Sequence, residues 1–262
     1  MILFLFLSHL AVGIVFTLVF VSREAGVKFF RFNAGLAAIL LAVAFALRPP
    51  ETSATEVGRL AVIALVVAEA AILVYWATVG RVLASVRPVI AGTAVLGGLV
   101  GLVAQGIDQA PGLPAQAMTV ASFLSSAALL GGACTAMILG HWYLVIPSLQ
   151  VKHLQSIVKV HIASMVVRVV VVAAAVFLAI VSWQPGLGPS FRHYIFSVSG
   201  IFFWQRVLFG LFGPALLSYL TWETAKIRST QSATGILYVD FFTVVVGEVL
   251  AKYLLLATRV PV

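Results

Sequence analysis

The sequence predicts an all-α fold, a polytopic membrane helix bundle of about eight transmembrane helices, and three observations carry that expectation. Of 262 residues, 62% are hydrophobic and only 9% charged. The mean hydropathy is +1.15, so a water-soluble fold would lack the polar side chains to cover its surface. Apolar runs of bilayer-crossing length, about 20 residues, recur along the chain with turn-forming punctuation between them.

The first run, near 2–21, has no basic leader and no clear cleavage site, and reads as a retained helix. The second, near 29–47, stops at "RPPETSATE". Runs near 59–78 and 87–106 follow, and "DQAPGLPAQ" separates them from 117–146, which closes near Pro147. The sixth, near 155–182, ends at "WQPGLGPS"; the last two lie near 195–221 and 232–257. No hydrophilic stretch is long enough for a separate soluble domain. The chain reads as one integral membrane domain, 1–262, and any water-soluble catalytic machinery would belong to another chain.

Lys and Arg distribution sets the expected orientation. The odd-numbered loops and their flanks hold Arg23, Lys28, Arg31, Arg81, Arg87, Lys152, Lys159, Lys226 and Arg228; the opposite side holds Arg48, Arg59, Arg192, Lys252 and Arg259. Nine against five places the odd loops in the cytoplasm and both termini outside. Although the pI is near 10.1, the basic residues are scattered singly at the edges of apolar runs, which argues against nucleic acid as a partner. A single cysteine, Cys134, excludes an internal disulfide, a CxxCH haem attachment and a Cys-ligated iron–sulfur cluster. P-loop, GxGxxG, HExxH and GxSxG motifs are absent.

Ionisable residues inside apolar spans are costly and so are the candidate functional groups. Most lie in the second half: His141, His161, Arg168, Arg206, Asp240 and Glu248. On span six, His161, Ser164, Met165 and Arg168 follow the i, i+3, i+4, i+7 spacing of one inward helical face. At about 1.5 Å per residue, His141 and His161 are expected roughly 9 Å from the odd-loop ends of neighbouring antiparallel helices, at one depth. Two imidazoles so placed suit the axial positions of a b-type haem. They equally suit a quinone headgroup, with Trp142 or Tyr143 stacking on the ring and a histidine handling the proton. The bland alternative has His141 and His153 reaching the interface and His161 bonding a neighbouring backbone.

The same conversion to depth pairs Arg206 with Asp240 and Arg168 with Glu248, as a proton path or as ion pairs that fix helix registry. Glu69, in "VVAEAAILVYW", has no evident partner. His9 lies toward the outer side, too far from His141 to share a ligand with it. His193, with Trp183 and Tyr194, reads as interfacial. Gly97 with Gly101, and Gly131-Gly132-Ala133, read as close helix-packing positions.

"FLSHLAVGIVF" in span one and "VVVGEVLAKYLL" in span eight resemble the first and last helices of the DmsC/NrfD type of quinol-interacting membrane anchor subunit. Gly247-Glu248, Ala251-Lys252 and Tyr253 match that family's Gly-Glu, small, basic and aromatic positions, with Ala-Lys where Gly-Arg is usual. "GHWYLVIPSL" and "STQSATGILY" map onto no family motif. The resemblance implies a membrane subunit of a respiratory or electron-transfer complex in a bacterial cytoplasmic (inner) membrane. Such a chain takes quinone as substrate beside redox partner subunits, is not catalytic alone and conducts protons. A b-type cytochrome, a proton-coupled transporter and a non-catalytic assembly subunit are the alternatives.

Overall fold

The computed structural model describes residues 1–146, 149–183 and 190–262, and among them no strand occurs. The expected stop at Pro147 and most of "WQPGLGPS" lie outside the described residues. The described residues form the α-helices α1 Ile2–Leu18, α2 Gly26–Ala46, α3 Glu56–Thr78, α4 Arg87–Asp108, α5 Leu113–Val145, α6 Lys152–Val181, α7 Phe191–Ile195, α8 Ile201–Val207, α9 Gly213–Lys226 and α10 Thr230–Thr258. Among the described residues seven helical segments are long and apolar enough to cross a membrane, and α1, apolar and 17 residues long, is at the lower limit of spanning length. The chain is an integral membrane protein. Its helix ends form an odd-loop end, where α1 meets α2, α3 meets α4, α5 meets α6 and α9 meets α10, and an opposite even-loop end.

Helix α5 is the central column because of its composition. "ASFLSSAALLGGACTAM" alternates small residues with a few large ones, so neighbours can approach from every side. In its most apolar stretch 83% is buried, against 28% to 39% for the other spans, which turn wide faces to lipid. Gly13 of α1 and Gly131 of α5 meet backbone to backbone, and a Cβ on either would overlap the other helix. Gly132 lies against His161 of α6 and Gly140 against Thr234 and Leu237 of α10. Between α3 and α4, Gly97 faces Ala64 and Ala68 while Gly101 faces Leu65, so the glycines flagged by sequence act as packing positions.

Polar side chains tie the helix ends. At the even-loop end, Thr55 caps α3 by accepting from the Gly58 N–H at 2.8 Å and donates to Asp108 at the end of α4. At the odd-loop end, Arg31 of α2 donates to the Val79 carbonyl at 2.6 Å, and His153 of α6 contacts Glu24 at 2.6 Å.

The seventh span is not one continuous helix. The chain turns through α7, a short 3-10 turn at Val198–Gly200 and α8, widens into a π-helical segment at Leu208–Phe212, and resumes as α9 with Pro214 in its first turn. Pro214 has no N–H to give to the Gly210 carbonyl four residues earlier, so that carbonyl needs another donor. Arg206 Nη1 supplies it at 2.7 Å.

Candidate functional site

Helix α10 organises the buried chemistry. It carries Tyr238, Asp240, Glu248 and Lys252 at successive depths, and each meets a group from another helix.

Glu248 is the hub. The Arg168 guanidinium from α6 meets its carboxylate as a fork, Nε to Oε1 at 2.9 Å and Nη2 to Oε2 at 3.1 Å. Arg206 Nη2 from α8 donates to Oε1 at 2.8 Å, and Lys252 Nζ lies 3.7 Å from Oε2 one turn along α10. Ser126 of α5 donates to Oε2 at 2.6 Å and accepts from Lys252 at 2.7 Å. His9 Nδ1 of α1 reaches the same hydroxyl at 3.4 Å. Glu248, Arg168, Arg206 and His9 are fully buried and Lys252 is 2% exposed. One carboxylate thus faces three basic side chains in a water-poor interior, where Coulombic terms are large and an unpaired charge is costly.

Each position has a local reason. Arg168 and His161 share the inward face of α6 foreseen from the spacing, while Val166, Val167 and Val170 face outward. The remaining Arg168 donors go to Ser122 Oγ at 2.8 Å, the Ser122 carbonyl at 3.2 Å, Ser125 Oγ at 3.4 Å and the Val262 carbonyl at 3.3 Å. Arg206 reaches Glu248 because Gly210 and Gly247 bring the π-helical segment against α10; a Cβ on either glycine would meet the other's Cα or the Arg206 guanidinium. Phe123 packs edge-on to the His9 ring at 4.6 Å, with Lys252 Nζ 5.2 Å from its ring centre, and so walls off the cluster.

The expected Arg168–Glu248 pair is formed. The expected Arg206–Asp240 pair is not: Arg206 joins Glu248, and Asp240 Oδ2 lies 2.6 Å from His161 Nε2, both side chains fully buried. The nitrogen and oxygen are at ion-pair distance but not aligned as a hydrogen bond, so both Asp240 oxygens and both His161 nitrogens lack an aligned partner among the described residues. Depth counting failed because the continuous part of span seven begins at Ile201 and not at residue 195, which sets Arg206 nearer the even-loop end, level with Glu248. Lys252, counted among the outer loop charges, belongs to the interior.

His141 and His161 do not share a depth. His161 lies nine residues inside α6 against Gly132, whereas His141 lies four residues from the end of α5, about 13 Å along that helix from Gly132. His141 Nδ1 meets the Tyr238 hydroxyl at 3.0 Å at an exposed site. With His161 facing Asp240, the two imidazoles do not fit the axial positions of one haem. Trp142 Nε1 donates to the Ala25 carbonyl at 3.0 Å, and the Tyr143 hydroxyl donates to the Gln150 carbonyl at 2.6 Å while accepting from the Leu154 N–H at 3.0 Å. Trp142 thereby ties α5 to the start of α2, and Tyr143 ties it to the start of α6. Glu69 is half-buried on α3, which packs against α2 and α4, and its Oε2 has no partner among the described residues. His193 is exposed, and Tyr194 stacks on Phe191.

Ser122, Ser125, Ser126 and Tyr238 were not singled out by sequence, although the three serines sit at i, i+3, i+4 on one face of α5. Gln105 of α4 is also buried, its side chain beside the His9 imidazole. Compared with family models, curated proteins and solved structures, the chain matches none.

Proposed function

We propose that the chain is the membrane subunit of an electron-transfer complex that acts on quinone, and that its buried groups carry protons between the two ends of the bundle. The supporting observation is the series along α10: Tyr238 with His141, Asp240 with His161, Glu248 with Arg168 and Arg206, and Lys252 with Ser126 and His9. Ionisable groups kept in an apolar interior at several depths, where each is costly, mark a path for protons or ions. By side-chain type, lysine, histidine and carboxyl groups are the ones that exchange protons, and the guanidinium groups supply fixed hydrogen-bond donors around them. The two stretches that resemble quinol-interacting anchors, in α1 and α10, supply the two sides of the His9–Ser126–Lys252 junction. Trp142 and Tyr143 being engaged, the quinone headgroup is assigned to the exposed His141–Tyr238 pair, in which either His141 Nε2–H or the Tyr238 hydroxyl, according to the tautomer, can donate to a quinone carbonyl oxygen and exchange the quinol proton.

The test is purification of the intact complex from its native membrane, with quinol turnover measured for wild type, His141→Ala and Tyr238→Phe. Co-purification of an iron–sulfur or other redox chain, with turnover reduced in both variants, is expected. A chain that purifies without redox partners, or variants with undiminished turnover, would reject this reading.

The π-helical interruption before Pro214 favours a second reading, a proton-coupled transporter, because broken helices beside buried charges build substrate sites at mid-membrane. Proton flux by the isolated chain in vesicles, driven by a solute gradient and needing no partner, would establish it.

A further inference from the structure

A cavity of about 450 Å³ opens at the odd-loop end between α1, α2, α3 and α4, away from the Glu248 cluster. Its volume lies within the range of small-molecule sites, about 300–1,000 Å³. The walls are apolar, with Leu18, Phe30 and Ile72 among them, and the only charged lining residues are Arg23 and Arg87, beside Tyr75. Charge is therefore of one sign and lies at one end. Among the described residues Arg87 makes one long contact, 3.5 Å to the Val82 carbonyl, and its buried Nε has no partner, so its guanidinium has donors to give. The acid adjacent in sequence, Glu24, is already engaged by His153 at 2.6 Å. An apolar slot that begins among lipid-facing helices and ends on two arginines with no ion pair among the described residues matches an amphiphile with an acidic head and a hydrocarbon tail.

We propose that this cavity binds one anionic phospholipid from the leaflet at the odd-loop end, its phosphate between Arg23 and Arg87 and part of one acyl chain against α2 and α4. Arginine suits the head because its planar donor fork matches phosphate oxygens. A basic pocket between transmembrane helices at a membrane surface is the general form of such sites. The tail has room because Gly92 lines the wall and a Cβ built there meets nothing within 4 Å. The site is independent of the redox reading and stands or falls separately from it.

The experiment reconstitutes the purified protein, with any partners, into bilayers of equal parts phosphatidylglycerol and phosphatidylcholine, re-extracts it in mild detergent and identifies retained lipid by native mass spectrometry. Wild type should keep one phosphatidylglycerol, and Arg23→Gln with Arg87→Gln should lower its retention about tenfold or more. Gly92→Phe should fill the slot and abolish retention with both arginines intact and the melting temperature unchanged; should it fail to accumulate, Ala91→Leu narrows the same wall. Equal retention in all variants would overturn the site. So would displacement of the lipid by millimolar inorganic phosphate, which would show a headgroup-only anion site, or retention of a neutral isoprenoid quinone in its place. Loss in the arginine variants but not in either plugging variant would overturn the placement of the tail.

Discussion

Arg206 Nη1 donates to the carbonyl oxygen of Gly210 at 2.7 Å, and this bond joins a backbone defect to the buried charge cluster. Pro214 leaves that carbonyl without its helical donor, the π-helical segment opens the turn, and the same guanidinium extends its other nitrogen to Glu248 at 2.8 Å. The defect and the charge compensate each other.

Removing the Arg206 guanidinium strands two buried acceptors at once, the Gly210 carbonyl and Glu248 Oε1. Arg206→Ala should lower the stability of the assembled protein by about 3–5 kcal/mol, the range for breaking a buried pair, measured by reversible unfolding in detergent. Combined with Glu248→Gln it should show coupling of about 0.5–3 kcal/mol. With Asp240→Asn the effects should add; coupling to Asp240 and not to Glu248 would contradict the geometry.

Asp240 and His161 form a separate buried unit. Asp240→Asn and His161→Gln should each destabilise, and the double variant should recover part of the loss, because an amide pair leaves no lone charge in the interior. Strict additivity in a double-mutant cycle would show that the 2.6 Å contact contributes nothing to stability.

Glycine substitutions along α10 should divide sharply by position. Gly247→Ala should prevent assembly or greatly reduce yield, since a Cβ there overlaps the Gly210 Cα. Gly235→Ala meets nothing within 4 Å and should stabilise by up to about 1 kcal/mol through helix propensity. Thermal melting of the two purified variants checks both.

Lys252 separates a structural from a proton-carrying role. Lys252→Met keeps the chain length, removes one of three basic groups facing a single carboxylate, and should leave assembly and melting temperature intact or improved. Proton uptake coupled to turnover, followed with a pH-sensitive dye in reconstituted vesicles, should fall about a hundredfold or more, in the range of a lost acid–base group. Unchanged proton uptake would assign the ammonium to helix registry alone.

Sequence by itself determined the solvent of this protein and the faces it presents to it. Composition and run length specify membrane helices because lipid tolerates little charge, and the i, i+3, i+4, i+7 spacing on α6 specifies that His161 and Arg168 point inward, since helical period alone sets which side chains share a face. Which inward groups meet was decided by tertiary structure. Contact between antiparallel helices depends on where each starts and how closely it approaches: α6 begins at Lys152 and not near 155, the continuous part of span seven begins at Ile201, and Gly210 against Gly247 draws α8 toward α10. The six-residue offset in span seven is about 9 Å, more than the reach of a salt bridge, so Arg206 changed partner from Asp240 to Glu248; the earlier start of α6 set His161 deeper than His141. Ser126 stayed hidden for the same reason, because a serine in an apolar helix acquires its role only when Glu248, Lys252 and His9 arrive from three directions.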